Sequence, residues 1–414
     1  MNKVATSRCW FIINARRNFA GAVAQLAERM VKREMEVRTF SAPLFREEIM
    51  GSTGQSDVTA NGALLNGSIV KAEDQILVTG ASGFIGTRVI GSLMEYGFRR
   101  VRCFTRPSSD LTKLNALIQR YGEAQIEVIQ GNLTSRQDCL KATENCQVIY
   151  HLAAGTGEKS FPDAFLNSVV TTRNLLDTTL EHACLKRFVS VSSFAVYTNR
   201  DKPGGRLLDE SCPIEERAEL RGEAYCYAKV KQDELVIEYG KEHGVRYVIL
   251  RPGTVYGPGN ETITGRVGID TFGIYLHLGG SNTIPLTYVD NCAEAIVLAG
   301  MRDGIDGETF NIVDDDLPSS RRFLRLYKEN LKSFRSIYLP HFASYLFCYL
   351  WEKYSLWSNG QLPPVFNRRR WNAEWKGSDY SNQKLKRLLD WTPRVSTAEG
   401  LARFFESCRN ARYA

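Results

Sequence analysis

The stretch Gln75-Ile76-Leu77-Val78-Thr79-Gly80-Ala81-Ser82-Gly83-Phe84-Ile85-Gly86 decides the fold of this chain. Its first five residues are mostly apolar and branched, which is typical of a buried parallel strand. Three glycines spaced three residues apart follow, and residues 87–96 have helical periodicity. A strand, a glycine-rich turn and a helix in this order predict a dinucleotide-binding unit.

Each glycine of the turn has a separate expected role. Gly80 permits the tight turn, Gly83 lets backbone N–H groups approach a pyrophosphate, and Gly86 lets the helix pack close to the sheet. The N-terminus of the helix then presents its partial positive charge to the phosphates. An ordinary glycine turn is the alternative, and the flanking strand and helix disfavour it.

Strands and helices alternate from Gln75 to Arg251, which predicts an α/β fold with a Rossmann-type doubly wound parallel sheet. The predicted crossover helices span residues 87–96, 111–121, 136–143, 164–182 and 224–243. After Arg251 the alternation stops, and we expect a smaller C-terminal lobe that binds substrate. This lobe contains a glycine-rich segment over the substrate (261–281), a strand (309–313), a helical stretch (323–357) and the last helices (380–405).

Three regions are therefore expected. Residues 1–73 form an N-terminal extension that is poorly ordered or partly helical, with a linker at 51–67 rich in Gly, Ser, Thr and Asn. Residues 74–260 form the NAD(P)-binding Rossmann domain. Residues 261–414 form mainly the substrate-binding lobe, with some segments returning to the Rossmann core. An organelle targeting peptide at the start is disfavoured by Glu28, Glu34 and Glu36.

The composition disfavours two classes of function, metal binding and nucleic-acid binding. The chain has 414 residues, a net charge of +7, ten cysteines and five histidines. There is no Cys-x-x-Cys pair and no zinc-site spacing, so no metal is expected. Scattered cysteines suit a reducing cytoplasm. No concentrated basic face or nucleic-acid-binding motif is visible, so no nucleic-acid partner is expected.

Two further clusters suggest acid–base chemistry. One is Ser192-Ser193-Phe194-Ala195-Val196-Tyr197, and the other is Tyr225-Cys226-Tyr227-Ala228-Lys229. On a helix, positions i and i+4 share a face. An ammonium one turn from a phenol favours the phenolate, so the phenol can exchange a proton with a substrate oxygen near neutral pH. A serine hydroxyl at a strand end can hold the same oxygen.

These motifs, in this order, resemble those of the extended short-chain dehydrogenase/reductase superfamily, in its NAD(P)-dependent epimerase/dehydratase group. The resemblance covers residues 75–399, most of the chain. It rests on the glycine turn and on further motifs, which are Gly131-Asn132-Leu133, His151-Leu152-Ala153-Ala154, Ser192-Ser193, Tyr225 to Lys229, Arg251-Pro252-Gly253, Val255-Tyr256-Gly257-Pro258-Gly259 and Tyr288-Val289-Asp290-Asn291.

The resemblance implies a catalytic trio of Ser193, Tyr225 and Lys229. Tyr227 is a rival for Tyr225, because Lys231 repeats the spacing. The family usually has a small residue before the lysine and an acidic residue four positions after it. Ala228 and Asp233 fit the first register, and the second register has Val230 and Leu235 in those places.

The resemblance also implies which residues contact the cofactor. The expected set is Gly80, Ser82, Gly83, Phe84, Ile85, Gly86, Arg106, Asn132, Leu133, Ala153, Ala154, Tyr225, Lys229, Pro252 and Val255. NAD-specific members carry an Asp at the end of the second strand, and here Thr105 and Arg106 stand there. An Arg can pair with a 2′-phosphate, so NADP is preferred over NAD. Alternatively, Arg106 stacks on the adenine or faces water. Asn132 stands where the family usually has Asp.

Three functions remain open. The first is an epimerase or oxidoreductase acting on a hydroxyl or ketone carbon of a nucleotide sugar. The second is an NADP-dependent reductase or dehydrogenase of a sterol-like or flavonoid-like substrate, as in 3β-hydroxysteroid dehydrogenases and dihydroflavonol reductases. The third is a non-catalytic NADP-binding protein. Phe194-Ala195 follows the serine where nucleotide-sugar dehydratases typically carry Asp-Glu, which argues against that class.

Two segments of the C-terminal lobe have open interpretations. Residues 337–351 are rich in Leu, Phe and Tyr but too short to span a bilayer. They form part of the lobe's core, or a weak membrane-surface contact, or a dimer or substrate surface. Arg368-Arg369-Arg370, beside Phe366 and Trp371, is either a diphosphate clamp or a solvated basic turn. Family resemblance further implies a homodimer.

Overall fold

The computed structural model describes residues 67–121, 125–155, 160–200, 207–260, 262–271, 273–358 and 366–413. The expectations for residues 1–66 lie outside this part of the chain. Residues 68–70 were assigned to the extension, but they contact the folded domain. Ser68 forms a β-bridge with Arg302, Ile69 N–H donates to Met301 O at 2.9 Å, and Val70 is buried.

The centre of the fold is a seven-stranded sheet in the order β3-β2-β1-β4-β5-β7-β12, with every neighbouring pair parallel. The strands are β1 (Gln75–Thr79), β2 (Arg100–Thr105), β3 (Gln125–Gln130), β4 (Cys146–His151), β5 (Arg187–Val191), β7 (Tyr247–Pro252) and β12 (Thr309–Ile312). All residues of β1 and β5 are buried, as expected for strands covered on both faces. The predicted Rossmann-type sheet is confirmed.

Helices cover both faces of the sheet. They are α1 (Phe84–Glu95), α2 (Thr112–Arg120), α3 (Arg136–Thr143), α4 (Phe161–Phe165), α5 (Thr171–Thr179), α6 (Ala224–His243) and α7 (Val289–Met301). A π-helical turn, Leu166–Val170, joins α4 to α5. Residues of α1 and α7 pack with β1, β4 and β7 in one core cluster, while residues of α5 and α6 pack in a second. The bounds predicted for α3 and α6 are correct, and α1 begins three residues earlier than predicted.

The remaining elements build the smaller lobe and its connections. They are β6 (Leu207–Leu208), β8 (Thr254–Tyr256), β9 (Gly268–Thr271), β10 (Ile274–His277), β11 (Leu286–Tyr288), β13 (Ser336–Tyr338), β14 (Asp379–Tyr380), α8 (Ser320–Asn330), α9 (His341–Trp357), α10 (Arg368–Glu374), α11 (Gln383–Leu389) and α12 (Thr397–Tyr413). Strands β13, β10 and β9 form a three-stranded sheet.

The expected helical stretch at 323–357 is wrong in its middle. The chain leaves α8 at Asn330, forms β13 beside β10, and begins α9 only after Pro340. Proline lacks an N–H donor and restricts the residue before it, which favours a helix start at this position. The segment 261–281, expected to be a glycine-rich cover, contains the antiparallel pair β9 and β10.

The turn between β1 and α1 depends on the absence of side chains. Gly80 has a φ of +70°, which a residue with a Cβ rarely adopts. A Cβ on Gly86 would lie 2.1 Å from Gly80 O, so α1 contacts the turn directly through backbone atoms. Gly91, in the same helix, has more room, because a Cβ there would meet Leu117 Cδ2 at 4.0 Å.

We expect Gly86→Ala to lower the free energy of unfolding by more than about 2 kcal/mol, because the added methyl forces the helix away from the turn. The matched control is Gly91→Ala, which should raise stability by up to about 1 kcal/mol through helix propensity. Urea unfolding followed by circular dichroism measures both. Equal effects of the two substitutions would contradict the close approach at Gly86.

A buried chain of polar side chains links β1, β4, α5 and α6. His151 Nδ1 lies 2.8 Å from Thr79 Oγ1, and His151 Nε2 lies 2.8 Å from Thr172 Oγ1. Thr172 donates its hydroxyl hydrogen to Ser168 O and accepts from Gln232 Nε2 at 2.8 Å. The hydrogen between His151 and Thr172 must therefore sit on Nε2, and Nδ1 accepts from Thr79. This arrangement of donors and acceptors fits a neutral imidazole.

Burial, with the positive charge of Lys229 adding to it, lowers the pKa of His151 to about 3 from its usual 6.5. As the pH falls below about 6.5, His151 becomes protonated in the unfolded chain, whereas in the folded chain it stays neutral until about pH 3. We therefore expect His151 to lower the free energy of unfolding by up to about 1.4 kcal/mol for each unit by which the pH falls across that window.

In a series of urea unfolding curves between these two pH values, His151→Gln should show a shallower loss of stability than the parent protein. Buried His277, whose pKa is lowered to about 4 by burial and by nearby Arg321, contributes a similar slope that both proteins share. An unchanged slope in His151→Gln would mean that His151 is protonated in the folded protein.

Candidate functional site

The end of β5 presents two serines with different exposure. Ser192 is buried beside the carboxylate of Asp233, whereas Ser193 is partly exposed. Ser193 Oγ accepts from Ala195 N–H at 3.1 Å and begins the short 3₁₀ turn Phe194–Val196. Of the two hydroxyls, that of Ser193 is therefore the more accessible to a ligand.

Lys229 on α6 reaches back to the same strand end. Its side chain is buried, and its Nζ donates to Val191 O at 2.7 Å and to Gln232 Oε1 at 2.8 Å. The same Nζ lies 6.0 Å from the centroid of the partly exposed Tyr225 ring. Because Val191 is two residues before Ser193, these contacts place Lys229 close to the strand end that leads to Ser193, with the Tyr225 ring on the same helix beside it.

The second Tyr-x-x-x-Lys pair faces a different part of the molecule. The Tyr227 ring packs edge-on against Phe161, with ring centroids 5.4 Å apart. Lys231 pairs with Glu234 at 2.7 Å on the exposed side of α6. This geometry gives Tyr227 an aromatic packing role between α4 and α6, and Lys231 an ion pair with a neighbouring carboxylate.

The buried ion pair between Arg251 and Asp233 lies beside the end of β5. Arg251, the last residue but one of β7, binds Asp233 at 3.0 Å and donates to Tyr197 Oη at 3.0 Å. Tyr197 Oη donates to Asn311 Oδ1 at 2.8 Å, and burial raises the pKa of Tyr197 to about 12. The sequence analysis names Tyr197, Asp233 and Arg251 separately, but it does not show that they contact one another.

The glycine turn presents backbone donors at the carboxyl ends of β1 and β4. Gly83 caps α1 without a side-chain hydrogen bond, so the first amides of this helix have no side-chain partner at the cap. Gly83 is exposed, and Ser82, Phe84, Ile85, Ala153 and Ala154 are partly exposed. A helix N-terminus with small residues around it fits the diphosphate and ribose of a dinucleotide.

The other predicted cofactor residues are spread along the same edge of the sheet. Arg106 is exposed at the end of β2. Asn132 is also exposed, and its Oδ1 accepts from Thr134 N–H at 3.0 Å, which leaves the amide NH₂ as the group that can meet an adenine edge. Leu133 and Pro252 are buried, and Val255 is partly exposed.

The three consecutive arginines of α10 each pair with carboxylates. Arg368 binds Glu352 at 2.9 Å, Arg369 binds Glu215 at 2.6 Å, and Arg370 lies 3.3 Å from Glu223 and 3.4 Å from Glu374. The flanking Phe366 and Trp371 are buried. The run is therefore a helix and not a solvated turn, and the pairing of its cations with carboxylates of the protein itself disfavours a diphosphate clamp.

The carboxylates of this cluster respond differently to burial. Burial opposes ionisation of Glu223, but Arg221 and Arg370 hold its pKa below the usual value. Burial raises the pKa of Glu374, and the neighbouring charge of Glu223 adds to this effect. Glu223 immediately precedes α6, so the cluster fixes the position of the helix that carries Tyr225 and Lys229.

Two kinds of feature are absent from the described part of the chain. Within residues 67–413, apart from the segments not described, no group of three His, Cys, Asp or Glu side chains could hold a metal ion. In the same part of the chain, every helix is too short or too polar to cross a bilayer.

Known proteins similar to this chain include sterol-modifying enzymes. A 3 beta-hydroxysteroid dehydrogenase/Delta 5→4-isomerase of Mycobacterium tuberculosis is 29% identical over 197 residues, which cover 46% of this chain and 49% of the relative. A decarboxylating sterol-4-alpha-carboxylate 3-dehydrogenase of Candida albicans is 28% identical over 264 residues, which cover 58% of this chain and 70% of the relative. The chain thus spans about half the length of the first of these relatives.

A solved structure with a similar fold is the UDP-glucuronic acid 4-epimerase of Bacillus cereus in complex with UDP-glucuronic acid and NAD. It superposes with a TM-score of 0.62 at 23% identity, over 81% of this chain and 99% of that one. The profile of the NAD dependent epimerase/dehydratase family matches residues 76–312, more than half of the chain. With the sheet, the glycine turn and this match together, the chain belongs to the NAD dependent epimerase/dehydratase family.

Proposed function

We propose that this protein is an NAD(P)-dependent epimerase or oxidoreductase that transfers hydride at a hydroxyl or ketone carbon. The observation that carries the proposal is the bond from Lys229 Nζ to Val191 O, 2.7 Å long. It holds the lysine beside Tyr225 and next to the strand end that carries Ser193. The glycine turn lies at the same edge of the sheet, where α/β folds bind their ligands.

In the proposed mechanism, Ser193 and Tyr225 hold the reacting oxygen of the substrate. During oxidation of a hydroxyl, Tyr225 accepts the O–H proton while the C–H hydrogen leaves as hydride, and a ketone forms. During reduction, Tyr225 returns the proton to the oxygen. Lys229 stabilises the phenolate form of Tyr225 by its charge. A bound nicotinamide supplies the hydride acceptor or donor, and the glycine turn, Ala153 and Ala154 hold its dinucleotide.

A nucleotide sugar is the preferred substrate class. This preference draws on the fold shared with a UDP-glucuronic acid 4-epimerase. Phe194 and Ala195 follow Ser193 in place of a carboxylate pair, which argues against a nucleotide-sugar dehydratase. The second candidate is a sterol-like or flavonoid-like hydroxyl or ketone, favoured by the similarity to two sterol-modifying enzymes. An epimerase returns the hydride to its substrate, so it retains its nucleotide, whereas a reductase exchanges the nucleotide at every turnover.

Three finer points belong to the same proposal. NADP is preferred over NAD, because exposed Arg106 stands at the end of β2. A cytoplasmic location is supported by the cysteines, since nine of them are free thiols in the described part of the chain. The protein acts as a homodimer, as its family resemblance implies.

We expect Tyr225→Phe to lower turnover by about a hundredfold or more, because the substrate oxygen loses its proton donor and acceptor. Turnover can be followed by NMR for a panel of UDP-sugars and by NADPH consumption for ketone substrates. Binding of NADPH, measured by fluorescence, should stay within about threefold, since the phenol oxygen is the group removed.

Tyr227→Phe is the matched control, because it removes the same atom two residues away. Its turnover should remain close to that of the parent protein. A loss in Tyr227→Phe alone would shift the catalytic register by two residues. Unchanged turnover in Tyr225→Phe would refute the catalytic assignment, and NADPH binding without any turnover in the parent protein would favour a non-catalytic binding protein.

Arg106→Asp should reverse the cofactor preference. The carboxylate repels a 2′-phosphate and accepts hydrogen bonds from a ribose 2′-hydroxyl, so we expect the ratio of NADP to NAD affinity to fall by about tenfold or more. Calorimetric titration of both nucleotides measures this ratio, and Arg106→Gln separates loss of the cation from gain of the acid. An unchanged ratio would show that another group binds the 2′-phosphate.

A further inference from the structure

The helix α9 has an inverted distribution of polarity. Its buried side chains are Ser344, Cys348, Trp351 and Ser355. Its outward face carries Phe342 at 77%, Leu346 at 52% and Trp357 at 77% exposure, with Leu350 and Leu356 between them. A surface helix normally places its apolar residues inward and its polar residues outward. Here the more apolar face lies in solvent.

The orientation of α9 is fixed by polar contacts on its inner side. Ser344 Oγ accepts from the indole N–H of buried Trp371 at 2.9 Å and donates to His341 O at 3.0 Å. Trp351 packs against Phe366 with ring centroids 5.7 Å apart. Rotation of the helix to hide its apolar face would break these contacts and leave buried polar groups without partners.

The exposed apolar side chains are clustered rather than scattered. Of the 13 exposed large hydrophobic residues in the described part of the chain, eight lie between 337 and 357. Ile337 and Tyr338 on β13 lead directly into α9, so strand and helix form one surface. We call this surface, residues 337–357, the apolar face. A contiguous apolar patch of this kind marks an interaction site.

Cations lie beside the apolar face. Residues 320–358 carry seven Lys and Arg and two Glu, while three aspartates stand shortly before them at 314–316. The Arg321 guanidinium lies 5.7 Å from the centroid of the Tyr338 ring, and Lys353 Nζ lies 5.7 Å from that of Tyr349. Glu352, one of the two acids, is paired with Arg368.

This combination distinguishes between possible occupants. In a symmetric contact between two copies, two surfaces with the same excess of cations would face each other, which is repulsive. Residues 1–50 of the same chain would not complement the charge beside the apolar face either, because they carry nine Lys and Arg against five Asp and Glu. A bilayer with anionic headgroups complements both the apolar side chains and the cations. Its acyl boundary accepts the apolar side chains, and its headgroups attract the cations.

We propose that the apolar face docks this protein onto an anionic lipid surface. The helix α9, about 26 Å long at 1.5 Å per residue, lies in the plane of the interface. Phe342, Leu346, Leu350, Leu356 and Trp357 enter the headgroup–acyl boundary, while Arg321 and Lys353 contact lipid phosphates and carboxylates. This inference goes beyond the proposed function and does not depend on which substrate the site accepts.

The test is co-sedimentation of the full chain with vesicles of phosphatidylcholine alone or mixed with phosphatidylserine. We expect binding to the mixed vesicles that weakens at high salt. Phe342→Glu and Leu346→Glu should each weaken it by about tenfold or more, because a carboxylate replaces a buried hydrocarbon next to anionic headgroups. Lys353→Glu should reduce the preference for phosphatidylserine.

The matched control is Leu180→Glu, because Leu180 is 45% exposed but lies at the end of α5, away from the apolar face. Its vesicle binding should equal that of the parent protein, and NADPH binding in every variant reports an intact fold. Failure of the parent protein to bind mixed vesicles overturns the proposal. So does binding that survives in Phe342→Glu and Leu346→Glu, because the contact then lies elsewhere in the chain.

Light scattering on the same variants tests the competing occupant. If Phe342→Glu converts a dimer into a monomer and the parent protein does not bind vesicles, a second copy covers the apolar face and the lipid proposal is wrong. If the mass stays the same while vesicle binding is lost, the lipid assignment stands. Failure of the proposed enzyme activity would leave these outcomes unaffected.

Discussion

A buried ammonium group organises the candidate site. Lys229 is 3% exposed, and a charge in that position must be compensated by hydrogen bonds. Its two acceptors, Val191 O and Gln232 Oε1, come from the end of β5 and from the next turn of α6. The bond to Gln232 lies within α6, whereas the bond to Val191 O fixes the placement of α6 against the end of β5. That placement also sets Tyr225 near the end of the strand that leads to Ser193.

The surrounding polar groups extend this constraint in two directions. Gln232 continues through Thr172 and neutral His151 to Thr79, the last residue of the strand before the glycine turn. The hydrogen-bond chain thus connects the proposed catalytic lysine to the proposed nucleotide loop. On the other side, Asp233 and Arg251 support the strand end below Ser192 and Ser193. The accessible hydroxyl of Ser193 therefore lies next to a strand end that this buried ion pair supports.

The C-terminal lobe contributes in a different way. Arg370 of α10 pairs with Glu223, which immediately precedes α6, and Arg369 pairs with Glu215, so α10 is tied to the segment that leads into this helix. The helix α9 packs on α10 through Trp371 and directs its apolar side chains outward. The same lobe thus stabilises the candidate site on one side and, in our proposal, contacts lipid on the other.

The sequence by itself determined the parallel sheet, the glycine turn and the bounds of α3 and α6, because these depend on local patterns and on backbone rules that act over a few residues. It also indicated Ser193, Tyr225 and Lys229 as a set, through spacing and family resemblance. It could not separate α8 from α9 or assign partners to Arg368, Arg369 and Arg370. The first outcome depends on the pairing of β13 with the distant strand β10. The second depends on carboxylates distant in sequence, such as Glu215, which lies far from Arg369 along the chain yet 2.6 Å away in space. Likewise, only the tertiary structure decided which face of α9 is buried, because Trp371 and Phe366 select the face they pack against regardless of its hydrophobicity.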